Sequence, residues 1–387
     1  MRILILGADG YLGWPTAMYF AANGHEALAV DNYLRRRLAR ETMSEALLEA
    51  PNLQRRAQIF QSLSGHHVGV EILDCTDYRR LSQLFEQFKP EAAVHYAEQP
   101  AAPYGMLKWS EASLTLNNNL NATLNLIWAV MEHAPDCRIV KLGTMGEYGT
   151  PNIDIEEGWL ELEHKGRKQK FLYPRQTGSL YHTTKILDTD LLWFYVRTFG
   201  IGVTDLMQGP VYGITTPEAD LDDALLPNFH YDDIFGTVLN RFLVQAVAGI
   251  PLTVYGKGEQ SRGFLDIRDT IRCVELSVLN PAEPGQLRIM NQFTETFSMN
   301  QLADRVQRVG NGMGLNVSID HVDNPRKEPE DHYYNPAHTA LLDLGLEPHY
   351  LTDEGVAAML EKVLQYRGRI DRTRILPRVR WKNGLSG

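Results

Sequence analysis

Tyr181 and Lys185 stand four residues apart in "YHTTK", with His182 directly after the tyrosine. On a helix that spacing puts both side chains on one face, one turn from each other. An ammonium held there favours the tyrosinate, lowers the phenol from its ordinary pKa of about 10 toward the working pH, and makes it a usable general base. A hydroxyl partner stands at Thr144, just past Ile139 to Leu142, which read as a buried strand, and Glu147 follows three residues later. On the same helix His182 points about 100° away from Tyr181, toward another part of a bound molecule. Glu147 is expected in a loop at a sheet edge, where partial burial would raise its pKa into the range of an acid.

These groups need a scaffold, and the chain opens on one. "RILILGADGYLGW" begins with an uninterrupted apolar run from Ile3 to Leu6, read as a buried parallel strand, and then turns at Gly7, Gly10 and Gly13. A helix is expected to end near Gly24, and "EALAVD" forms the next strand, closing on Asp31. Strand, glycine turn, helix, strand and terminal acid form a dinucleotide-binding unit. Gly7 permits the tight turn, Gly10 the approach of a pyrophosphate, and Gly13 close packing of helix on strand. Asp31 accepts from ribose hydroxyls and repels a 2′-phosphate, which favours NAD over NADP; Arg35, Arg36 and Arg37, four to six residues beyond it, argue the other way or lie on a helix surface. "VEILDCTD" reads as a third strand whose Asp74 reaches the adenine edge, and "AAVHYAEQP" ends a fourth at a loop. Tyr11, Leu12, Asn32, Arg35 and Asn118 join the expected cofactor contacts, with Tyr181 and Lys185. The strand ending at Gly143 places Thr144 at the carboxyl edge of the sheet, where open α/β sheets bind ligands.

The expected fold class is therefore α/β, a Rossmann-type doubly wound parallel sheet with a smaller C-terminal α/β substrate-binding lobe. The first domain spans 1–205, with a helical insertion at about 32–65 carried by "ETMSEALLEA" and "LQRRAQIFQSL". Residues 206–387 form mainly the second lobe, and about 260–275 return to the first.

Composition narrows the partners. The 387 residues are 44% hydrophobic, enough for a sizeable core, and the net charge of −10 argues against nucleic acid and anionic membranes. The basic run from Arg367 to Lys382 is expected to be solvated or packed on the chain. Cys75, Cys137 and Cys273 lie too far apart for a zinc site or a disulfide framework, so no metal and a reducing, cytoplasmic setting are expected. No apolar stretch is long enough to span a bilayer, and no signal region is expected at "MRILILG".

The glycine turn, the strand-end threonine and YxxxK together resemble the short-chain dehydrogenase/reductase superfamily in its extended form, which acts on nucleotide sugars. The resemblance implies that Tyr181 removes a proton from a sugar hydroxyl while the adjacent carbon gives hydride to nicotinamide. It also implies that Lys185 holds the nicotinamide ribose and that Thr144 bonds the same hydroxyl. "GTMGEYGTPNIDIEEG", "LTVYGKGEQSRGFLDIRD", "NQFTETFSMNQLA" and "NPRKEPEDHYYN" are similar to the branch that makes UDP-sulfoquinovose from UDP-glucose and sulfite. That branch implies a 4-keto intermediate, loss of the C5 proton, departure of water from C6, addition of sulfite, and return of the hydride. NAD is then tightly bound and recycled. His182 and Glu147 are the candidates for the second acid/base pair. Arg262 and Arg326 would approach the diphosphate, Thr253 to Tyr255 the uracil, and Gln99, Gln208 and Thr144 the sugar side. Arg268 is expected in an ion pair with Asp266 or Asp269. A homodimer follows by likeness. Pro100 stands where that branch often has an arginine, a natural partner for sulfite. A nucleotide-sugar 4-epimerase, a dehydratase, or a C5 or C6 epimerase, all sharing Tyr181, Lys185 and Thr144, is the alternative. A non-catalytic NAD-sensing module is the remote one.

Overall fold

The computed structural model describes residues 1–48, 50–325 and 332–376. The chain begins β1 (Arg2–Leu6), α1 (Gly13–Ala22), β2 (Glu26–Asp31), α2 (Leu34–Glu41), α3 (Leu53–Ser64), β3 (Val68–Ile72), α4 (Tyr78–Phe88) and β4 (Ala92–His95). It continues through α5 (Trp109–His133), β5 (Arg138–Thr144), the hairpin β6 (Trp159–His164) and β7 (Arg167–Leu172), α6 (Leu180–Phe199) and β8 (Val203–Gln208). Ile3 to Leu6 and Ala92 to His95 are buried throughout, as strands covered by helices on both faces must be. Ser179 caps α6 by accepting from the His182 amide, and Gly200 ends it in the left-handed region that favours glycine.

The second half holds β9 (Val211–Tyr212), α7 (Val238–Ala248), β10 (Leu252–Tyr255), β11 (Ser261–Asp266), α8 (Ile267–Leu279), β12 (Leu287–Gln292), β13 (Glu295–Ser298), α9 (Met299–Gly312), β14 (Ile319–Val322), α10 (Ala340–Asp343) and α11 (Asp353–Gln365). Seven parallel strands form the main sheet in the order β12-β8-β5-β4-β1-β2-β3. The order reverses beside β1, which opens a crevice above the glycine turn. The second lobe packs α7, α9 and α11 with β10 and β11 around Phe242, Val254, Phe264, Leu302 and Leu360.

Three local readings change. The return to the first domain is longer than 260–275: α8 puts Cys273, Val274 and Val278 into the first core, and β12 adds the seventh strand. Burial decides this, because an apolar strand buried on both faces is most stable as part of the large sheet. In the insertion the first helix is Leu34–Glu41, not "ETMSEALLEA". Residues after Met43 leave helical geometry because Leu47 donates to Phe229 O at 2.9 Å and Ser44 O accepts from His230 Nδ1 at 2.9 Å, tying the segment to the second half. The hairpin β6/β7 was not foreseen. Trp159 anchors it edge-on to Trp193 on α6, with ring centroids 4.9 Å apart. The described part of the basic tail packs on the chain: Arg374 pairs with Asp371 and Glu45, and Ile375 is buried.

Candidate active site

A cavity of about 750 Å³ runs along the carboxyl edge of the main sheet and under the second lobe. Its floor at one end is the glycine turn. Gly7 has φ +85°, and a Cβ there would lie 2.6 Å from the Tyr96 carbonyl carbon; at Gly13 it would lie 2.3 Å from Gly7 O. Only glycine keeps this cradle open. Gly10, Tyr11 and Leu12 line it, and the Tyr11 hydroxyl donates to Gly213 O at 2.5 Å. Asp31 lies at the wall, each carboxylate oxygen accepting one backbone N–H, from Asp9 at 2.9 Å and Tyr33 at 2.6 Å. Each oxygen keeps a lone pair for a ribose hydroxyl. Asn32 and Asp74 also line the wall; Asn32 accepts from Leu34 N at 2.8 Å and Asp74 from Thr76 N and Oγ1 at 2.8 and 2.7 Å. Cradle and acid fit the two ends of an ADP moiety.

The three arginines after Asp31 part company. Arg36 turns inward to Asp9, at 2.5 and 2.6 Å, while Arg37 pairs with exposed Glu41 at 3.7 Å. Arg35 alone lines the cavity, its guanidinium 4.1 Å from the Phe235 ring centre. Asn118 lines it too and donates to Asn119 Oδ1 at 3.1 Å.

Burial, and then the neighbouring Asp9, raise the Asp31 carboxyl from 3.8 to about 6. A proton is thus favoured in the folded chain, so ionising Asp31 costs stability as the pH rises from 3.8 to about 6. The ionised form is the better acceptor for ribose. NAD affinity measured by calorimetry is therefore expected to weaken as the pH falls through about 6, and Asp31→Asn to weaken binding and flatten that dependence.

At the other end α6 presents Tyr181, His182 and Lys185 to the cavity, facing Thr144 at the tip of β5. Lys185 Nζ lies 5.8 Å from the centre of the Tyr181 ring and donates to Leu142 O at 2.5 Å. The His182 ring rests on Gly146, where a Cβ would meet Nε2 at 2.5 Å. Thr144 Oγ1 accepts from Gly146 N at 3.1 Å, so its proton stays available to the cavity.

Two expectations fail here. Tyr181 is not lowered toward the working pH: burial, followed by the charge of Glu98, pushes its hydroxyl well upward, and Lys141 only partly opposes them. Glu147 does not reach the cavity. It is buried in the short helical turn after β5, 3.4 Å from Lys141 Nζ and 3.4 Å from Arg175, and its carboxylate accepts from Thr189 Oγ1 at 3.3 Å. A buried carboxylate needs cations, and these lie behind the strand, not in front of it.

On the sugar-nucleotide side Gln208, Thr253, Tyr255 and Arg262 all line the cavity. Gln208 donates to Gln292 Oε1 at 3.2 Å, and Arg262 donates to Ser261 O at 2.8 Å and to His332 Nε2 at 2.9 Å. Gln99 lines it as well, but its amide is spent on the loop, with Ala101 and Thr115. Arg268 grips Asp266 with two bonds of 2.8 and 2.9 Å. Arg326 lies outside the described residues. Three groups escaped the motif reading. Glu98 pairs with Lys185 at 2.6 Å, Lys141 is buried under α6, and Arg241 stacks on Tyr255 at 4.4 Å while lining the cavity. The available signal was a charge inside an apolar run, as in "RIVKLG" and "NRFLVQAVAG". Among the described residues no helix is long and apolar enough to cross a membrane.

The fold and the cavity define a Rossmann-type dinucleotide-binding enzyme with a second ligand compartment under a smaller lobe. The chain belongs to the NAD dependent epimerase/dehydratase family, whose model matches residues 3–291. It is 45% identical to a chloroplastic UDP-sulfoquinovose synthase of Spinacia oleracea over 381 residues, covering 98% of this chain and 79% of that protein. It is 43% identical to a UDP-sulfoquinovose synthase of Sulfolobus acidocaldarius over 389 residues, covering 99% and 98%. Among solved structures, a UDP-glucuronic acid 4-epimerase of Bacillus cereus with UDP-glucuronic acid and NAD superposes with a TM-score of 0.70 at 18% identity, covering 94% of this chain and 99% of that one.

Proposed function

We propose that this enzyme converts UDP-glucose and sulfite to UDP-sulfoquinovose and water through a 4-keto sugar, with NAD retained throughout. The observation that carries the reading is the identity of 45% and 43% with two UDP-sulfoquinovose synthases over nearly the whole chain, together with the meeting of Thr144, Tyr181, His182 and Lys185 in one cavity. Asp31, the glycine turn, Asp74, Asn118 and Arg35 would hold the cofactor, which when bound would supply reversible hydride acceptance. Tyr181, as the tyrosinate, takes the proton of the C4 hydroxyl, Thr144 fixes that oxygen, and Lys185 stabilises the tyrosinate before the transfer. His182, on the adjoining face of α6, addresses the C5 proton and the C6 hydroxyl. Glu147, behind the strand, orders Lys141 and Arg175 and does not touch the sugar.

Arg262, Arg241 and Arg326 serve the diphosphate, Thr253 and Tyr255 the base, and Gln208 the sugar. Pro100 lines the cavity, so no cation stands at that position for sulfite. A homodimer fits the exposed Trp109, Trp128, Phe194 and Phe199 along α5 and α6. Three buried free cysteines fit a reducing, cytoplasmic setting.

Mass spectrometry of UDP-glucose incubated with the protein in deuterated water, with and without sulfite, tests the reading. A sulfonated product that appears only with sulfite is expected. Deuterium uptake with no sulfonation would move the function to an epimerase or dehydratase, and an unchanged sugar would remove UDP-glucose as substrate.

A further inference from the structure

The loop after β4 carries a carboxylate that the mechanism above leaves idle. Glu98 lines the cavity, its side chain is 2% exposed, and one oxygen lies 2.6 Å from Lys185 Nζ. Burying a carboxylate beside a ligand cavity is costly even with an ammonium partner, so its presence calls for a use.

The topology says which part of a dinucleotide would meet it. The glycine turn follows β1, in the middle of the sheet; Asp31 and Asp74 lie to one side, after β2 and β3. Glu98, Thr144 and Lys185 lie to the other side, over β4 and β5. With its diphosphate at the turn and its adenosine on Asp31, a bound dinucleotide has its nicotinamide half on the Glu98 side. Oxidised nicotinamide is cationic, and the reduced ring is neutral. We propose that Glu98 tunes the cofactor: its negative charge favours the oxidised over the reduced nicotinamide, so that a hydride taken from the sugar is readily given back.

The surrounding charges leave this role to Glu98. Lys185 and, deeper, Lys141 are the nearby cations. Asp188, on α6 and outside the cavity lining, is driven toward its neutral form by burial and then by the charge of Glu98. His95, 3.8 Å from Glu98, is kept neutral by burial, which lowers it to about 3. The purpose rests on the nucleotide-sugar reading, in which two electrons and one proton leave C4 as hydride, the hydroxyl proton goes to Tyr181, and both return within one cycle. The electrostatic effect itself needs no sugar.

The test measures the dissociation constants of NAD and NADH by calorimetry on the full chain without sugar. In Glu98→Gln the ratio of the NAD to the NADH constant is expected to rise at least tenfold, the size of a unit charge acting at about 12 Å in an effective dielectric near 20. Glu98→Asp should restore most of it, and Glu98→Gln with Asp188→Asn should show it in full by keeping Asp188 from ionising instead. Lys185→Met, which leaves Glu98 without its cation, should move the ratio in the opposite direction and decides the matter should Glu98→Gln fail to fold. Equal weakening of both ligands, or an unchanged ratio, would show that Glu98 only shapes the cavity and would overturn the proposal. With UDP-glucose added, Glu98→Gln should also accumulate reduced cofactor. Wild type and variant alike forming none would count against the substrate reading, while the ratio without sugar would still decide the role of Glu98.

Discussion

Tyr181→Phe is expected to lose turnover of UDP-glucose by about 10²–10⁴-fold, the range for removing a positioned general base, while binding NAD as the wild type does. The substitution removes one hydroxyl and keeps the ring that lies 5.8 Å from Lys185 Nζ, so packing at the head of α6 is preserved. The size of the loss follows from the starting state. Burial and Glu98 hold the hydroxyl protonated in the free chain. It acts as a base only once that proton has passed to solvent, an ionisation that Lys185 and the cationic oxidised cofactor would favour. Single-turnover formation of reduced cofactor, read by its near-ultraviolet absorbance, measures the step directly. Rapid reduction in the variant would assign the base elsewhere, with His182 the next group on the same helix.

Lys141→Met is expected to have the largest effect on stability, about 3–5 kcal/mol, the cost of removing one partner from a buried ion network. Lys141 Nζ lies 3.3 Å from Asp205, 3.4 Å from Glu147, 2.9 Å from Thr189 Oγ1 and 3.2 Å from Lys185 O, all buried. Without it, the buried carboxylates of Asp205 and Glu147 are left with Arg175, 3.4 Å from Glu147, and Lys185 to offset them. Burial already pushes the Glu147 carboxyl upward, and Lys141 is the largest counterweight. The variant's two carboxylates would therefore take up protons more readily on folding. The deficit in urea unfolding should narrow as the pH falls through the carboxylate range. A deficit independent of pH would mean that lost packing, not unpaired charge, is responsible. The bond from Lys141 to the Lys185 carbonyl also predicts that this variant loses activity at temperatures where it is still folded.

Much of this enzyme was legible without its structure, because the signals were local. Gly7, Gly10, Gly13 and Asp31 announce a nucleotide-binding unit through backbone conformation and spacing, which depend on residues a few positions apart. Tyr181 and Lys185 share a face because helix geometry alone places them so. The long "NRFLVQAVAG" and "LQRRAQIFQSL" patterns became α7 and α3 for the same reason, an apolar stripe at helical period. The segment after Glu41 was misread because the Leu47 amide bonds the Phe229 carbonyl and the Ser44 carbonyl bonds the His230 ring, more than 180 positions away, which no periodicity records.

The amino-acid sequence by itself determined the doubly wound sheet, the cofactor cradle and the Thr, Tyr and Lys set, since each is written in short-range spacing. Tertiary structure alone decided the charge state of those groups. Glu98 meets Lys185 across 87 positions and Lys141 meets Asp205 across 64, and it is their burial together, away from water, that raises Tyr181 and withdraws Glu147 from the substrate. Electrostatics in a low-dielectric interior depends on distance and desolvation in space, and neither is a property of position along the chain.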